Sequence, residues 1–261
     1  MFQAIAFDFG NTLCPWGEEQ YWQVTHRTVS QICVHAPRYD FDSAVELFVR
    51  ARREGYAKNL PRMEENDLVE ILARTAAKIC GRPLSEAELQ EVVDAHVRSF
   101  VDVCAPPKGL HELLERLSSK YRLAVLSNYP LSECIRLSLR ELGIERHFGI
   151  TVVSGDMGVI KPSRRIFGRL LSDLRLPPEK VLFVGDDWVA DVVGACASGM
   201  PCVQIADSNG DPKALALDGM FGPYFRKALE SPELSCWREA RPLAVLGSIL
   251  ELEQWLEGRG A

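Results

Sequence analysis

No run of eighteen apolar residues occurs in this 261-residue chain, which excludes a segment with the composition of a membrane-spanning helix. A basic excess is missing too. Lys+Arg number 30 against Asp+Glu 36, a formal charge of −6, so nothing advertises a nucleic-acid partner. The opening Met-Phe-Gln-Ala-Ile-Ala-Phe-Asp has no basic start and meets an acid too soon for a secretory leader, so a cytoplasmic location is expected. Cysteine is plentiful, at eight, but forms no C-x-x-C pair, and several thiols sit in apolar stretches. Reduced, buried thiols are therefore expected rather than a disulfide scaffold or a zinc site. The five histidines make no H-E-x-x-H. Also absent are G-x-x-x-x-G-K-[ST], G-x-S-x-G and G-x-G-x-x-G, which leaves P-loop, serine-hydrolase and dinucleotide readings without support.

What is present is ordinary globular material, 47% hydrophobic and 25% charged. Short continuous apolar runs at 4–7, 123–126, 150–153, 181–184, 202–205 and 243–246 read as strands buried on both faces. Helical patterns lie between them: Leu110, Leu113, Leu114 and Leu117 share one face, as do Ile166, Phe167, Leu170, Leu171 and Leu174. A last helix is expected from Ser248. This alternation predicts an α/β fold with a Rossmann-like parallel sheet. From 16 to 104 the alternation stops. Four helical patterns succeed one another, one opened by the capping box Ser85–Glu88, and Pro61, Gly81 and Pro106-Pro107 punctuate them. The expected division is a core of residues 1–14 and 105–261 and a second, all-helical domain over 15–104. The stretch 207–241 reads as a long excursion with a helix near 224–229.

In an open parallel sheet ligands bind beyond the carboxyl ends of the strands. Asp8-Phe-Gly-Asn-Thr12 comes after the first run, Ser127-Asn128 after the second, and Gly185-Asp186-Asp187 with Asp191 after the fourth. Lys161-Pro162-Ser163 precedes a helix. Asp8, Asp186, Asp187 and Asp191 would crowd like charges, and a hard divalent cation such as Mg²⁺ with oxygen ligands relieves this. Lys161, hydroxyls from Ser127 and Thr12, and helix N-termini describe a socket for a phosphoryl group.

Asp8…Thr12, Ser127, Lys161 and Gly185-Asp186…Asp191, in this order and at these strand ends, resemble the four motifs of the haloacid dehalogenase superfamily. The helical insert resembles that family's C1-type cap. The resemblance covers about 1–14 and 105–206, and the cap by position alone. It implies a hydrolase in which Asp8 is the nucleophile and forms an aspartyl intermediate. It further implies Mg²⁺ on Asp8, the carbonyl of Gly10 and Asp186, with Asp187 and Asp191 binding or orienting its waters and Asp191 the more remote. Ser127, Asn128 and Lys161 would bind the transferring group, and Thr12 would steady the first loop. The substrate implied is a small phosphorylated compound. One departure stands out: family phosphatases carry a second Asp, the general acid, where this chain has Gly10. Such acid–base help amounts to about 10²–10⁴-fold.

Other readings remain beside this one. A 2-haloacid dehalogenase also lacks that second Asp, but has Tyr there and uncharged groups in the fourth motif. A phosphonate-cleaving enzyme needs a cap lysine, for which Lys58 and Lys78 are the choices. A catalytically weak binding or regulatory member would explain Gly10. Arg50, Arg52, Arg53, Lys58 and Arg62 leave two readings, a face turned to an anionic substrate or a solvated helix face, and the second is the expectation. Trp16, Tyr21, Trp22 and Tyr129 are expected to pack. Oligomeric state is not legible.

Overall fold

The computed structural model describes residues 1–206 and 222–259. Its strands are β1 (Ala4–Phe7), β2 (Arg122–Ser127), β3 (Phe148–Val153), β4 (Val181–Gly185), β5 (Cys202–Ile205) and β6 (Val245–Leu246). All pairings are parallel, in the order β3-β2-β1-β4-β5-β6. β1 and β4 are buried along their whole length, as a central parallel strand covered on both faces must be. Alternate residues feed two cores. Ala4, Ala6, Leu126 and Phe183 pack with Ile166, Phe167 and Leu170, while Ile5, Phe7, Val125 and Val184 pack with Leu110, Leu113 and Leu117. The chain runs outward from β1 through β2 to β3, then returns to place β4 on the other flank of β1. This reversal opens a crevice at the carboxyl ends of β1 and β4.

Between β1 and the core helix α5 (Leu110–Ser118) come α1 (Glu18–Val34), α2 (Phe41–Asn59), α3 (Leu68–Cys80) and α4 (Glu86–Asp102). Side-chain caps fix three of the four starts: Asp40 accepts from Ser43 N, Asp67 from Glu70 N, and Ser85 from Glu88 N in the capping box expected there. Pro61 converts the end of α2 to a 3-10 turn, Leu60–Arg62. The four helices close on their own apolar core of Val29, Ile32, Phe48, Leu72, Ala76 and Val92.

The helical unit meets the core along a seam. Phe100 of α4 stacks on Trp16, with ring centroids 4.5 Å apart, and lies 4.4 Å from Tyr129. Beside it the backbone of the α2–α3 loop pairs with the segment leading to Lys161: Ile160 N donates to Met63 O and Glu65 N to Gly158 O. Trp16 and Tyr129 thus pack, as their positions predicted.

Three expectations need adjustment. Arg52 does not sit on a solvated face: Arg50 and Arg53 are exposed, but Arg52 is only 8% exposed, because it shares the inward stripe of α2 with Phe48 and Tyr56. The last helix starts as a 3-10 turn, Ile249–Glu251, capped by Ser248, and becomes α-helical at Leu252–Gly258. The eight cysteines are unbonded, but five are half-buried rather than buried. Of the excursion at 207–241, residues 207–221 lie outside the described residues. A helix at Gly222–Ala228 and a 3-10 run at Pro232–Arg238 come after them. Among the described residues no helix is long and apolar enough to cross a membrane.

Candidate active site

Register brings the acids together. Phe7 pairs with Val184 on one side and Val125 on the other, and Asp8 N donates to Val184 O at 2.8 Å. Asp8 therefore leaves the sheet beside the ends of β4 and β2, from which Asp186 and Ser127 also emerge. The chain then turns back at once. Phe9 O accepts from both Leu13 N and Cys14 N, and Asn11 takes a left-handed φ of 52°. Asn11 Oδ1 holds Trp16 N at 2.8 Å. The Thr12 hydroxyl is buried in this turn with no partner among the described residues.

Lys161 reaches this centre from the far side. Its Nζ donates to Asp8 Oδ1 at 2.5 Å and to Asp191 Oδ1 at 2.7 Å, and the side chain is 2% exposed. Asn128 locks the lysine's backbone like a strand partner: its Nδ2 donates to Lys161 O at 3.1 Å, and Lys161 N donates to its Oδ1 at 2.8 Å. Asn128 is thus a group that positions Lys161, a role the sequence does not disclose. Ser127, at the end of β2, is 3% exposed.

Ligand atoms of Asp8, Asp186 and Asp191 lie within 4.8 Å of one another. Asp187 is not of this group. It is the N-cap of the π-helical turn Trp188–Val193, and its Oδ1 accepts from Val189 N and Ala190 N, both at 2.7 Å. A carboxylate at a helix start is drawn to the free N–H groups there. Asp191 is engaged on both oxygens, Oδ1 with Lys161 and Oδ2 with Asp187 N at 3.0 Å. Gly185 makes this possible, since a Cβ there would overlap the Asp191 carboxylate.

The charges are in tension. Burial pushes the Asp8 carboxyl up to about 6; Lys161 opposes and Asp191 adds to the rise. Burial also lifts Asp187 to about 6, aided by Asp191 and resisted by the two N–H groups. Asp186 is raised well above the carboxylate range, by burial and then by the charges of Asp8, Asp191 and Asp187. Burial alone would lower Lys161, but the two carboxylates outweigh it and hold its pKa up. When all three are ionised, the clustered carboxylates exceed the lysine facing them among the described residues by two charges, the charge of one divalent cation. A donor set made of oxygen alone suits Mg²⁺. The residues fit that ion.

A cavity of about 170 Å³ lies between the helical unit and the core, lined among others by Tyr56, Glu65, Asn66, Asn128, Tyr129 and Phe225. It adjoins the charged centre through Asn128. Glu65 is fastened, with Oε1 accepting from Asn66 N at 2.7 Å and Oε2 from Ser154 Oγ at 2.5 Å, and burial raises its carboxyl. Tyr129 faces a histidine. Thr28 gives its hydroxyl proton to Val24 O at 2.7 Å, so it accepts from His96 Nδ1–H at 2.9 Å. The other ring nitrogen of His96 then accepts from the Tyr129 O–H at 2.9 Å. Burial pushes His96 down to about 3, which keeps the ring neutral. The hydroxyl proton of Tyr129 is thereby directed at α4, and Tyr129 does not take the place of the acid missing at Gly10. A Cβ at Gly10 would find ordinary contact, 3.5 Å from Trp16 Cβ.

Glu65, Ser154 and His96 are parts of this neighbourhood that the linear pattern of residues does not mark, and Arg52 was marked only as one of a basic run. For Arg52 a signal was there, since Phe48, Arg52 and Tyr56 recur every four residues on one helix face.

Comparison with known proteins gives the family and the fold. The family model described as haloacid dehalogenase-like hydrolase matches residues 2–199. Haloacid dehalogenase-like hydrolase domain-containing protein 3 of Xenopus laevis is 38% identical over 79 residues, 30% of this chain and 32% of that one. A glyceraldehyde 3-phosphate phosphatase of Methanothermobacter thermautotrophicus is 33% identical over 93 residues, 36% of this chain and 41% of that protein. The chain thus spans well under half the length of these relatives. Among solved structures, a 2-haloacid dehalogenase from Pseudomonas syringae pv. Tomato superposes over 100% of both chains with a TM-score of 0.67 and 17% identity, a likeness of fold.

Proposed function

This chain belongs to the haloacid dehalogenase-like hydrolases, and from that premise we propose that it is a Mg²⁺-dependent phosphatase of a small phosphorylated compound, working through an aspartyl phosphate on Asp8. The observation that carries the reading is the cluster of Asp8, Asp186 and Asp191 around the buried Lys161. A haloacid is an anion whose displacement needs no cation, and three carboxylates would repel it. A phosphate ester bound with Mg²⁺ is the better match to two uncompensated negative charges. The name of the archaeal relative, a glyceraldehyde 3-phosphate phosphatase, points the same way.

Each residue then has a task. Asp8 and Asp186, with the Gly10 carbonyl, would hold Mg²⁺. Asp191, whose oxygens bind Lys161 and the Asp187 amide, would keep the lysine in place and orient metal-bound water. When bound, Mg²⁺ supplies charge neutralisation of the phosphoryl oxygens. Lys161 would hold Asp8 as the anion and draw the phosphoryl group with Ser127. The first turn is held by Phe9 O and Asn11 Oδ1 rather than by Thr12, whose buried hydroxyl has no partner among the described residues. Asp8 Oδ attacks phosphorus, a P–O bond forms to the carboxylate, and the ester P–O bond breaks with departure of the alkoxide. Water then attacks phosphorus and releases inorganic phosphate, freeing Asp8. With glycine at position 10 the leaving oxygen lacks the family's proton donor, which favours acyl phosphates or esters with their own acidic group. Residues 15–104 would act as the cap over this site, with the core formed by 1–14 and 105–261.

The test is phosphate release from a panel of phosphate esters with Mg²⁺ and with EDTA, beside halide release from 2-chloropropionate. Turnover abolished by EDTA and by Asp8→Asn supports the reading. Metal-independent halide release would replace it with dehalogenation.

A further inference from the structure

Arg52 is buried in the helical unit with no ion-pair partner among the described residues. Its guanidinium lies over the rings of Tyr21, Phe48 and Tyr56, with centroids at 5.3, 5.9 and 5.8 Å, and Nη2 donates to Tyr56 Oη at 2.9 Å. Among the described residues no carboxylate lies within 4.0 Å of it. The other arginines of this run behave differently: Arg50 and Arg62 are exposed and meet Glu46 and Glu64. Arginine cannot escape by losing its proton, so a buried, unpaired guanidinium is costly. Cation–π contact returns only part of that cost. Glu65 feels the charge of Arg52, but its two oxygens are already engaged with Asn66 N and Ser154 Oγ.

The position of the charge is as telling as its isolation. Tyr56, Tyr129 and Glu65, the groups it bonds or senses, line the 170 Å³ cavity beside Asn128, so Arg52 stands one residue behind that wall. Nε and Nη1 have no protein partner among the described residues, and neither is a sealed, orphaned atom. Two donors of a planar fork therefore remain for a ligand. Such a fork suits a carboxylate or a phosphate, which can accept two parallel hydrogen bonds.

We infer that Arg52 recognises a second anionic group on the substrate, so that the compound hydrolysed is a phosphate ester carrying a carboxylate or a further phosphate. The inference rests on the phosphatase reading and deepens it. The reacting phosphoryl group sits at Asp8 and Lys161 while the second anion neutralises the cap arginine.

The experiment uses the full chain with Mg²⁺ and three esters: 3-phosphoglycerate, fructose 1,6-bisphosphate and glycerol 3-phosphate. These present a carboxylate, a second phosphate and neither. Wild type is expected to favour at least one of the first two over glycerol 3-phosphate tenfold or more in kcat/KM, and which one identifies the anion. Arg52→Met keeps the apolar stem among the three rings. It is expected to lower kcat/KM for the preferred ester 10–100-fold more than for glycerol 3-phosphate, mainly through KM. Arg52→Lys, which keeps the charge but not the fork, is expected to fall between. Equal wild-type rates on all three esters, or a uniform loss in Arg52→Met, would overturn the inference. Calorimetric binding of the same esters decides it if none turns over. Selective loss of affinity in Arg52→Met then upholds the recognition while the phosphatase reading fails, and unchanged affinity refutes the recognition.

Discussion

Metal and proton compete for Asp8, and thermal unfolding reads that competition. The carboxyl rises from its ordinary 3.8 to about 6 on folding, chiefly by burial. At about 1.36 kcal/mol per pKa unit this amounts to about 3 kcal/mol. The sign comes from linkage: the folded state holds the proton more tightly, so the associated stability is full below about 3.8 and is lost as pH rises through about 6. Half of the loss, about 1.5 kcal/mol, falls between about pH 5 and pH 7.5. A chain of 261 residues unfolds with an entropy of about 0.55 kcal/mol/K, so Asp8 alone lowers the metal-free Tm by about 3 °C over that interval. Mg²⁺ at about a hundred times its dissociation constant adds about 2.7 kcal/mol, or about 5 °C, at pH 7.5. Near pH 5 only about a tenth of Asp8 is ionised, the apparent affinity drops about tenfold, and the gain halves. Differential scanning calorimetry at pH 5 and 7.5, with EDTA or Mg²⁺, measures all four values. In Asp8→Asn the Mg²⁺ gain should shrink and the metal-free Tm at pH 7.5 should rise. An equal Mg²⁺ shift at both pH values, or none at pH 7.5, would refute the electrostatic argument.

Lys161→Met removes the one cation that the described residues bring to the cluster and should cost about 3–5 kcal/mol in metal-free stability, seen in urea unfolding, and abolish phosphate release. Gly10→Asp fits the space beside Trp16 and should raise turnover of alkyl phosphates by up to about 10²–10⁴-fold; no gain would show that proton donation at this position is not limiting. Gly185→Ala drives a methyl into the Asp191 carboxylate, so it should weaken Mg²⁺ binding and raise KM while leaving the far-ultraviolet circular dichroism intact. Glu65→Gln leaves Ser154 Oγ facing an amide in place of a carboxylate and should cost about 1–3 kcal/mol of stability by calorimetry.

Much of this protein was written along the chain. Continuous apolar runs marked the strands because a strand covered on both faces has no polar side to show, and the interruption from 16 to 104 marked the helices. The acids after the first and fourth runs and the lysine before a helix were legible because parallel strands deliver the residues at their carboxyl ends to one edge. Their partition was not. That Asp187 caps its own helical turn while Asp191 turns inward to Lys161 depends on whether a free N–H lies nearer than the lysine, which is a fact of folded geometry. Arg52 shows the same limit from the other side. Its spacing from Phe48 and Tyr56 is local, but its burial is imposed by Tyr21 of another helix and by the core beneath. Sequence order determines which groups reach the sheet's edge; contacts between residues far apart in the chain decide which of them are buried, which are paired, and which are left waiting for a ligand.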